Sequence, residues 1–273
     1  MEVFDRAAVR RHRDRAAPTV GRVADVLRDA AERLLDRLDD MTPRFAQALD
    51  VGGRGVVAPL LRERGIDVVS CDLSPIMAAV NGGPCVAADE ELLPFAAGKF
   101  DLVVASLSLH WVNDLPGALI QLRHTLRPNG LLLASLPALG TLDELRRALT
   151  KAEEALTGGA APRVSPFPDL RDCAGLLQRA GYAMPVADVE TIRLRYATPL
   201  RLLDDLRSAG ETNAVRLRDR RIPPRDLFPA ALAMLQQELA TLQDDQGRAL
   251  PGGGETPGIT ATLRMAVMTG WQS

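Results

Sequence analysis

An α/β fold built on a doubly wound parallel sheet is what this sequence predicts, and three observations carry it. Short apolar strands alternate with helical stretches at βαβ spacing between residues 46 and 136. The run Phe100–Leu107 is apolar and β-branched through its centre, as a central strand covered on both faces must be. The first strand, Ala46–Val51, runs directly into the glycine turn Gly52-Gly53-Arg54-Gly55, where a tight reversal into a helix needs residues without a side chain.

Residues 22–39 place Val23, Val26, Leu27, Ala30, Ala31, Leu34, Leu35 and Leu38 at the spacing of one helix face, and Pro43 stops that helix. Beyond the glycine turn, a helix is expected over 56–64, a strand over Ile66–Cys71 ending at Asp72, a helix over 75–80 and a strand over Cys85–Ala88. Phe100–Leu107 follows, then a helix over 114–125, a turn at Pro128-Asn129-Gly130 and a strand over Leu131–Leu136. The second half predicts helices at 141–156, 169–180, 198–209 and 225–243, strands at 186–196 and 259–269, and a glycine-rich loop at 244–258. The last two strands read as antiparallel additions to the same sheet, and the helices between them as a lid. The chain then divides into an N-terminal helical arm (1–44), a core (45–197), a helical insertion with its loop (198–258) and a final strand (259–273).

The 273 residues carry 33 basic and 35 acidic side chains, a net charge of −2, which excludes a general nucleic-acid binder. No apolar run approaches the roughly 20 residues of a membrane span, and no signal-peptide pattern opens the sequence. A soluble, cytoplasmic protein is expected, with at most peripheral membrane association. Cys71, Cys85 and Cys173 are too scattered for a disulfide framework or a zinc cage, and no metal site is expected. The first fifteen residues hold five arginines, but Glu2, Asp5 and Asp14 interrupt them, so they read as a solvated helix edge.

Candidate site residues gather at strand ends, where open parallel sheets bind ligands. Asp50, Gly52, Gly53, Arg54 and Gly55 close the first strand; Asp72, with Leu73 beside it, closes the second, 20 positions after Gly52. An acidic side chain there accepts hydrogen bonds from ribose hydroxyls, or else caps the helix that follows. Asp89 and Glu90 follow the third strand, where an adenine amino group can be met. Ser106, Leu107, His110 and Trp111 end the fourth. Without a GxGxxG pattern or a phosphate-cradling lysine, an adenosine-type cofactor other than NAD or ATP is expected. His110 is the candidate base or substrate-orienting group, its structural alternative being a strand cap packed beneath the next helix.

The segments VFDR (3–6), ALDVG (48–52), ADEELLPF (88–95), FDLVVASLSLHWVNDLPGAL (100–119), SPFPDLRD (165–172), AGETNA (209–214) and TGW (269–271) carry a resemblance. The chain resembles class I S-adenosylmethionine-dependent methyltransferases, and more closely the family of mitochondrial complex I assembly factor 5, an arginine hydroxylase, with its bacterial relatives. The resemblance implies a seven-stranded Rossmann-like sheet, S-adenosylmethionine as cofactor with contacts at Asp50, Gly52, Asp72, Asp89 and Glu90, and hydroxylation of an arginine on a complex I subunit by a bacterial protein. This fold also resembles the biotin-pathway malonyl-carrier-protein methyltransferases, which implies a carboxyl or small-molecule substrate; a non-catalytic assembly scaffold is the third reading. A guanidinium substrate calls for paired carboxylates, which Asp89, Glu90, Glu91, Asp114 and Glu211 can supply, with Trp111 and Asn213 as further substrate contacts. AGETNA reads either as a helix cap at Gly210 or as a substrate-facing polar loop. The family's turn is D-x-G-x-G-x-G whereas this one is DVGGRGV; Arg54 there either pairs with the methionine carboxylate or fills the cleft.

Overall fold

The computed structural model describes residues 2–42, 44–240 and 258–273. Helix α1 spans Arg6–Ala16, opened by the Asp5 carboxylate, which accepts from Ala8 N at 3.0 Å. The helix expected over 22–39 divides into a 3-10 turn at Val20–Val23, α2 at Ala24–Leu35 and a second 3-10 turn at Asp36–Leu38. The Pro43 stop lies outside the described residues. Then come β1 (Gln47–Val51), α3 (Val57–Glu63), β2 (Asp67–Asp72), α4 (Pro75–Val80), β3 (Cys85–Ala87), β4 (Phe100–Ser106), α5 (Leu115–Thr125) and β5 (Leu126–Pro137). Helices α6 (Asp143–Thr157) and α7 (Leu170–Arg179) precede β6 (Ala183–Tyr196). Helices α8 (Pro199–Ser208) and α9 (Leu227–Ala240) precede β7 (Ile259–Trp271). The tail of the helix expected over 225–243 and residues 244–257 of the expected loop lie outside the described residues.

The sheet order is β3-β2-β1-β4-β5-β7-β6, with β1 to β5 parallel and β7 antiparallel to both neighbours. The Pro128–Gly130 turn sits inside β5 as an irregularity: Phe100 pairs with Leu126, but Leu102 pairs with Leu131. Strand order reverses between β1 and β4, and the crevice for a ligand opens at their carboxyl ends.

Alternation along the strands feeds two cores. Ala48, Leu102, Val104, Leu131 and Leu133 pack on the side of α2 and α3; Leu49, Val51, Val103, Ala105 and Leu132 pack on the side of α5 and α7. Both faces being covered explains why these strands read as unbroken apolar runs. A third core joins α6, α8 and α9 over the far ends of β6 and β7, which makes the lid. A fourth seats α1: Phe4, Ala8 and Val9 pack against Trp111, Ala214 and Val215. The solvated edge expected of the arm is therefore wrong, because one face of α1 is apolar and docks over the carboxyl ends of the strands.

Candidate functional site

The glycine turn is shaped by steric need. Gly52 and Gly55 have φ of +69° and +84°, and a Cβ on Gly53 would stand 2.2 Å from Asp50 Oδ1. Asp50 is fully buried, with Ser70 Oγ donating to its Oδ2 at 3.3 Å and Oδ1 without a hydrogen-bond partner. Burial pushes its carboxyl up to about 7, against the Ser70 hydrogen bond.

At the end of β2, Asp72 accepts from Ser74 N at 2.8 Å through Oδ1 and from Arg13 Nη1 at 2.6 Å through Oδ2. The α4 cap is therefore Ser74, whose hydroxyl accepts from Met77 N, and Asp72 braces it from behind. Arg13 is 2% exposed and Asp72 fully buried, so this is an ion pair within the interior. Arg13 Nη2 also donates to the Ser108 carbonyl at 3.3 Å, and Nη1 lies 3.7 Å from Glu90 Oε1. Burial works against the charge on Arg13, but Asp72 and Glu90 outweigh it and raise its basicity. Arg6, two turns earlier on the same helix face, bridges Asp89 Oδ1 at 2.6 Å and Glu90 Oε2. Asp89 and Glu90 thus stand where the sequence puts them, already engaged by α1.

A second cluster closes the end of β4. Arg54 is 3% exposed; its Nη1 donates to Glu211 Oε1 at 2.6 Å and its Nη2 to the Leu107 carbonyl at 2.8 Å. Glu211 Oε2 lies 2.6 Å from His110 Nε2 and accepts from Trp111 Nε1 at 2.8 Å. Burial would raise the Glu211 carboxyl, yet His110, Arg54 and Arg13 hold it far below the usual carboxylate range. Glu211 reaches this point because Gly210, at φ +80°, ends α8 in a left-handed cap in which Glu211 N donates to Leu206 O at 2.8 Å. The helix-cap reading of AGETNA holds, and the glycine cap aims the Glu211 carboxylate.

Ser106 is 5% exposed, and its carbonyl accepts from Arg54 Nη2 at 3.4 Å. Leu73 packs beside Phe4 and Trp111 under α1, and Asn213 donates to the Pro162 carbonyl at 2.8 Å on the lid side. Asp114 stands apart: it is exposed and caps α5, accepting from Gly117 N at 2.9 Å. Its carboxylate is spent on the helix, which corrects its expected place in the substrate site. Sequence reasoning missed Arg6 and Arg13; their spacing of seven, on the face that carries Val9 and Ala16, was the available signal. Among the described residues, no group of three or more His, Cys, Asp or Glu side chains could hold a metal ion.

Beyond the Glu211 cluster, under the lid, lies a cavity of about 370 Å³ that reaches Arg54, His110 and Trp111 at one end and α6, α8 and α9 at the other.

A methyltransferase domain model matches residues 21–185. The mitochondrial arginine-hydroxylase NDUFAF5 of Danio rerio is 35% identical over 281 aligned positions, covering all of this chain and 83% of that protein. The malonyl-[acyl-carrier protein] O-methyltransferase of Laribacter hongkongensis is 34% identical, covering 86% of this chain and 84% of that protein. Among solved structures, the YcgJ protein of Bacillus subtilis superposes with a TM-score of 0.56 at 14% identity, over 88% of this chain and 98% of that one, and so shares the fold.

Proposed function

This chain belongs to the methyltransferase-domain family and, within it, to the group of the arginine hydroxylases, and on that premise we propose that it binds S-adenosylmethionine at the carboxyl ends of β1 to β4 and acts on an arginine of a respiratory complex I subunit, modifying or chaperoning it. The observation that carries the cofactor reading is that Asp72, at the end of β2, and Glu90, just after β3, approach one guanidinium on the β2–β3 side of the strand-order reversal: two buried carboxylates, with Glu90 Oε1 lacking a hydrogen-bond partner. This pair of acceptors fits the donating hydroxyls and amine of an adenosyl group. Asp72 and Glu90 would hold the group, with Asp89, Leu73, Ser106 and the Gly52–Gly55 turn around it. When bound, the cofactor would supply a methyl group on a sulfonium for displacement by a nucleophile, which serves methyl transfer, whereas hydroxylation of an arginine would take its oxygen from an oxidising co-reactant.

The space above the turn belongs to this chain's own guanidinium: a Cβ on Gly52 would meet Ser108 Cβ at 2.7 Å and Arg13 Nη1 at 3.1 Å. Arg13 and the cofactor therefore compete for the same carboxylates, and α1 is the element that must yield. In this reading the arm of residues 1–44 covers the core of 45–197, and the insertion of 198–258 brings Glu211 over it, with 259–273 completing the sheet.

His110 serves as a proton-holding group. Its Nε2 is fixed by Glu211, and its Nδ1, buried without a hydrogen-bond partner, is the atom left to exchange a proton with substrate. Trp111 and the lid exclude water.

A second reading, methyl transfer to a carboxyl group, is favoured by one feature. Glu211 already has three partners, so it offers little to an incoming guanidinium.

Calorimetric titration with S-adenosylmethionine and S-adenosylhomocysteine tests the cofactor; no heat at millimolar ligand overturns it. Mass spectrometry of complex I subunits from cells with and without the protein tests the reaction. Loss of one oxygen's mass on an arginine peptide supports hydroxylation, and loss of one methylene's mass on a carboxyl supports the second reading. No change leaves the chaperone role.

A further inference from the structure

We infer that the cavity under the lid is a binding site for an uncharged ligand with a hydrocarbon chain, its apolar body lying between α6 and α8 and its polar end toward His110 and Asn213. The body of the cavity is walled by Leu145 and Leu149 of α6, Leu202 and Leu206 of α8, Phe228 of α9 and Val26 of α2. Four separate helices contribute apolar side chains to one space, so it is a shared feature of the lid and arm rather than a gap beside one side chain. Its volume, about 370 Å³, falls within the range of small-ligand pockets. Interiors are otherwise packed with few voids larger than a water molecule, and apolar cavities take apolar guests in preference to water.

The charges on the wall decide the class of guest. Glu211 is saturated by Arg54, His110 and Trp111. Arg163 pairs with Glu153 at 2.5 Å, Arg218 with Asp5 at 3.1 Å, and Asp219 with Arg221 at 2.9 Å. Arg207 pairs with Asp204 at 3.1 Å, and burial pushes the Asp205 carboxyl up, toward its uncharged form. A formal charge on the guest would lose its hydration and find these counter-charges already engaged. A neutral head, such as an alcohol, an ester or a thioester, loses little. The chain of a free lipid and a chain carried as a thioester share this chemistry.

The test uses the full chain without any adenosyl ligand, so its outcome is independent of the cofactor reading. N-phenyl-1-naphthylamine, a neutral probe that brightens in apolar surroundings, should bind the protein saturably. Decanol should displace it at lower concentration than decanoate or decyltrimethylammonium. Displacement by a decanoyl-pantetheine thioester at lower concentration than decanol would identify the carried chain as the source; the reverse order would identify the free one. Leu206→Trp and, separately, Val26→Phe fill the space from partly buried positions and should weaken the probe by at least about tenfold. Should either variant misfold, decanol must still raise the melting temperature of the unaltered protein. The inference is overturned if the probe does not bind saturably, if the charged decyl compounds displace it as well as decanol, or if both folded variants bind it as the parent does.

Discussion

Arg54 and Leu107 share a hydrogen bond, Nη2 to the Leu107 carbonyl at 2.8 Å, and both hold left-handed backbone conformations, at φ of +50° and +49°. Two residues with side chains therefore take a conformation that usually belongs to glycine, at the ends of the adjacent strands β1 and β4. The bond ties the glycine turn to the segment that carries His110.

Removing the guanidinium separates its two roles. Arg54→Ala leaves the Glu211 carboxylate short of its cation and should cost about 3 kcal/mol. Arg54→Gly loses the same contacts but relieves the backbone, so it should be about 1 kcal/mol more stable than Arg54→Ala. Urea unfolding of both variants checks the order, and equal midpoints would refute the strain.

Arg13→Met removes the cation from the Asp72 pair and should destabilise the fold by about 3–5 kcal/mol. In the same protein, S-adenosylhomocysteine should bind more tightly than in the parent, because its competitor is gone. The stabilisation of melting by that ligand reads both effects at once; unchanged affinity in a folded variant would remove α1 as the competitor.

Asp50 makes stability fall as pH rises. Its folded carboxyl keeps its proton to about 7, whereas the unfolded carboxyl releases it near 3.8. The folded state thus binds the extra proton between those values, and the stability this adds is lost as pH climbs through about 7. Asp50→Asn cannot ionise, so it should flatten that decline and exceed the parent's stability at about pH 8. Denaturant midpoints across neutral pH are the measurement.

Glu211 acts in the opposite sense. Its carboxyl is depressed below the ordinary 4.5, so its contribution is present above that pH and is lost progressively as acid protonates it. Glu211→Gln keeps an acceptor for the Trp111 indole but removes the charge from Arg54 and His110. In a Trp271→Phe background, Trp111 emission should shift at acid pH in the parent, and the shift should be absent in Glu211→Gln.

Much of this architecture was legible in local pattern. Strands such as Phe100–Ser106 announce themselves because both of their faces are buried, and the glycine turn because Gly53 has no room for a Cβ beside Asp50. The strand-end carboxylates Asp72 and Glu90 were legible too, since sheet topology alone delivers them to one rim. What was hidden is their partner. Arg13 lies 59 positions from Asp72; its place on the Val9 and Ala16 face marks it as inward-facing, but nothing local says which carboxylate it will meet. Asp114 misled for the converse reason: a carboxylate before Leu115-Pro116-Gly117 serves the helix start first.

The placement of β7 bears on how the chain acquires its shape during synthesis. It is the last in chain order of the seven strands among the described residues, yet it lies inside the sheet, paired with β5 on one side and β6 on the other. Until it arrives, β5 presents a bare edge and the fourteen residues of β6 have no strand beside them. A nascent chain in that condition offers two open templates for the wrong neighbour, and its escape from aggregation rests on how soon β7 slides between them.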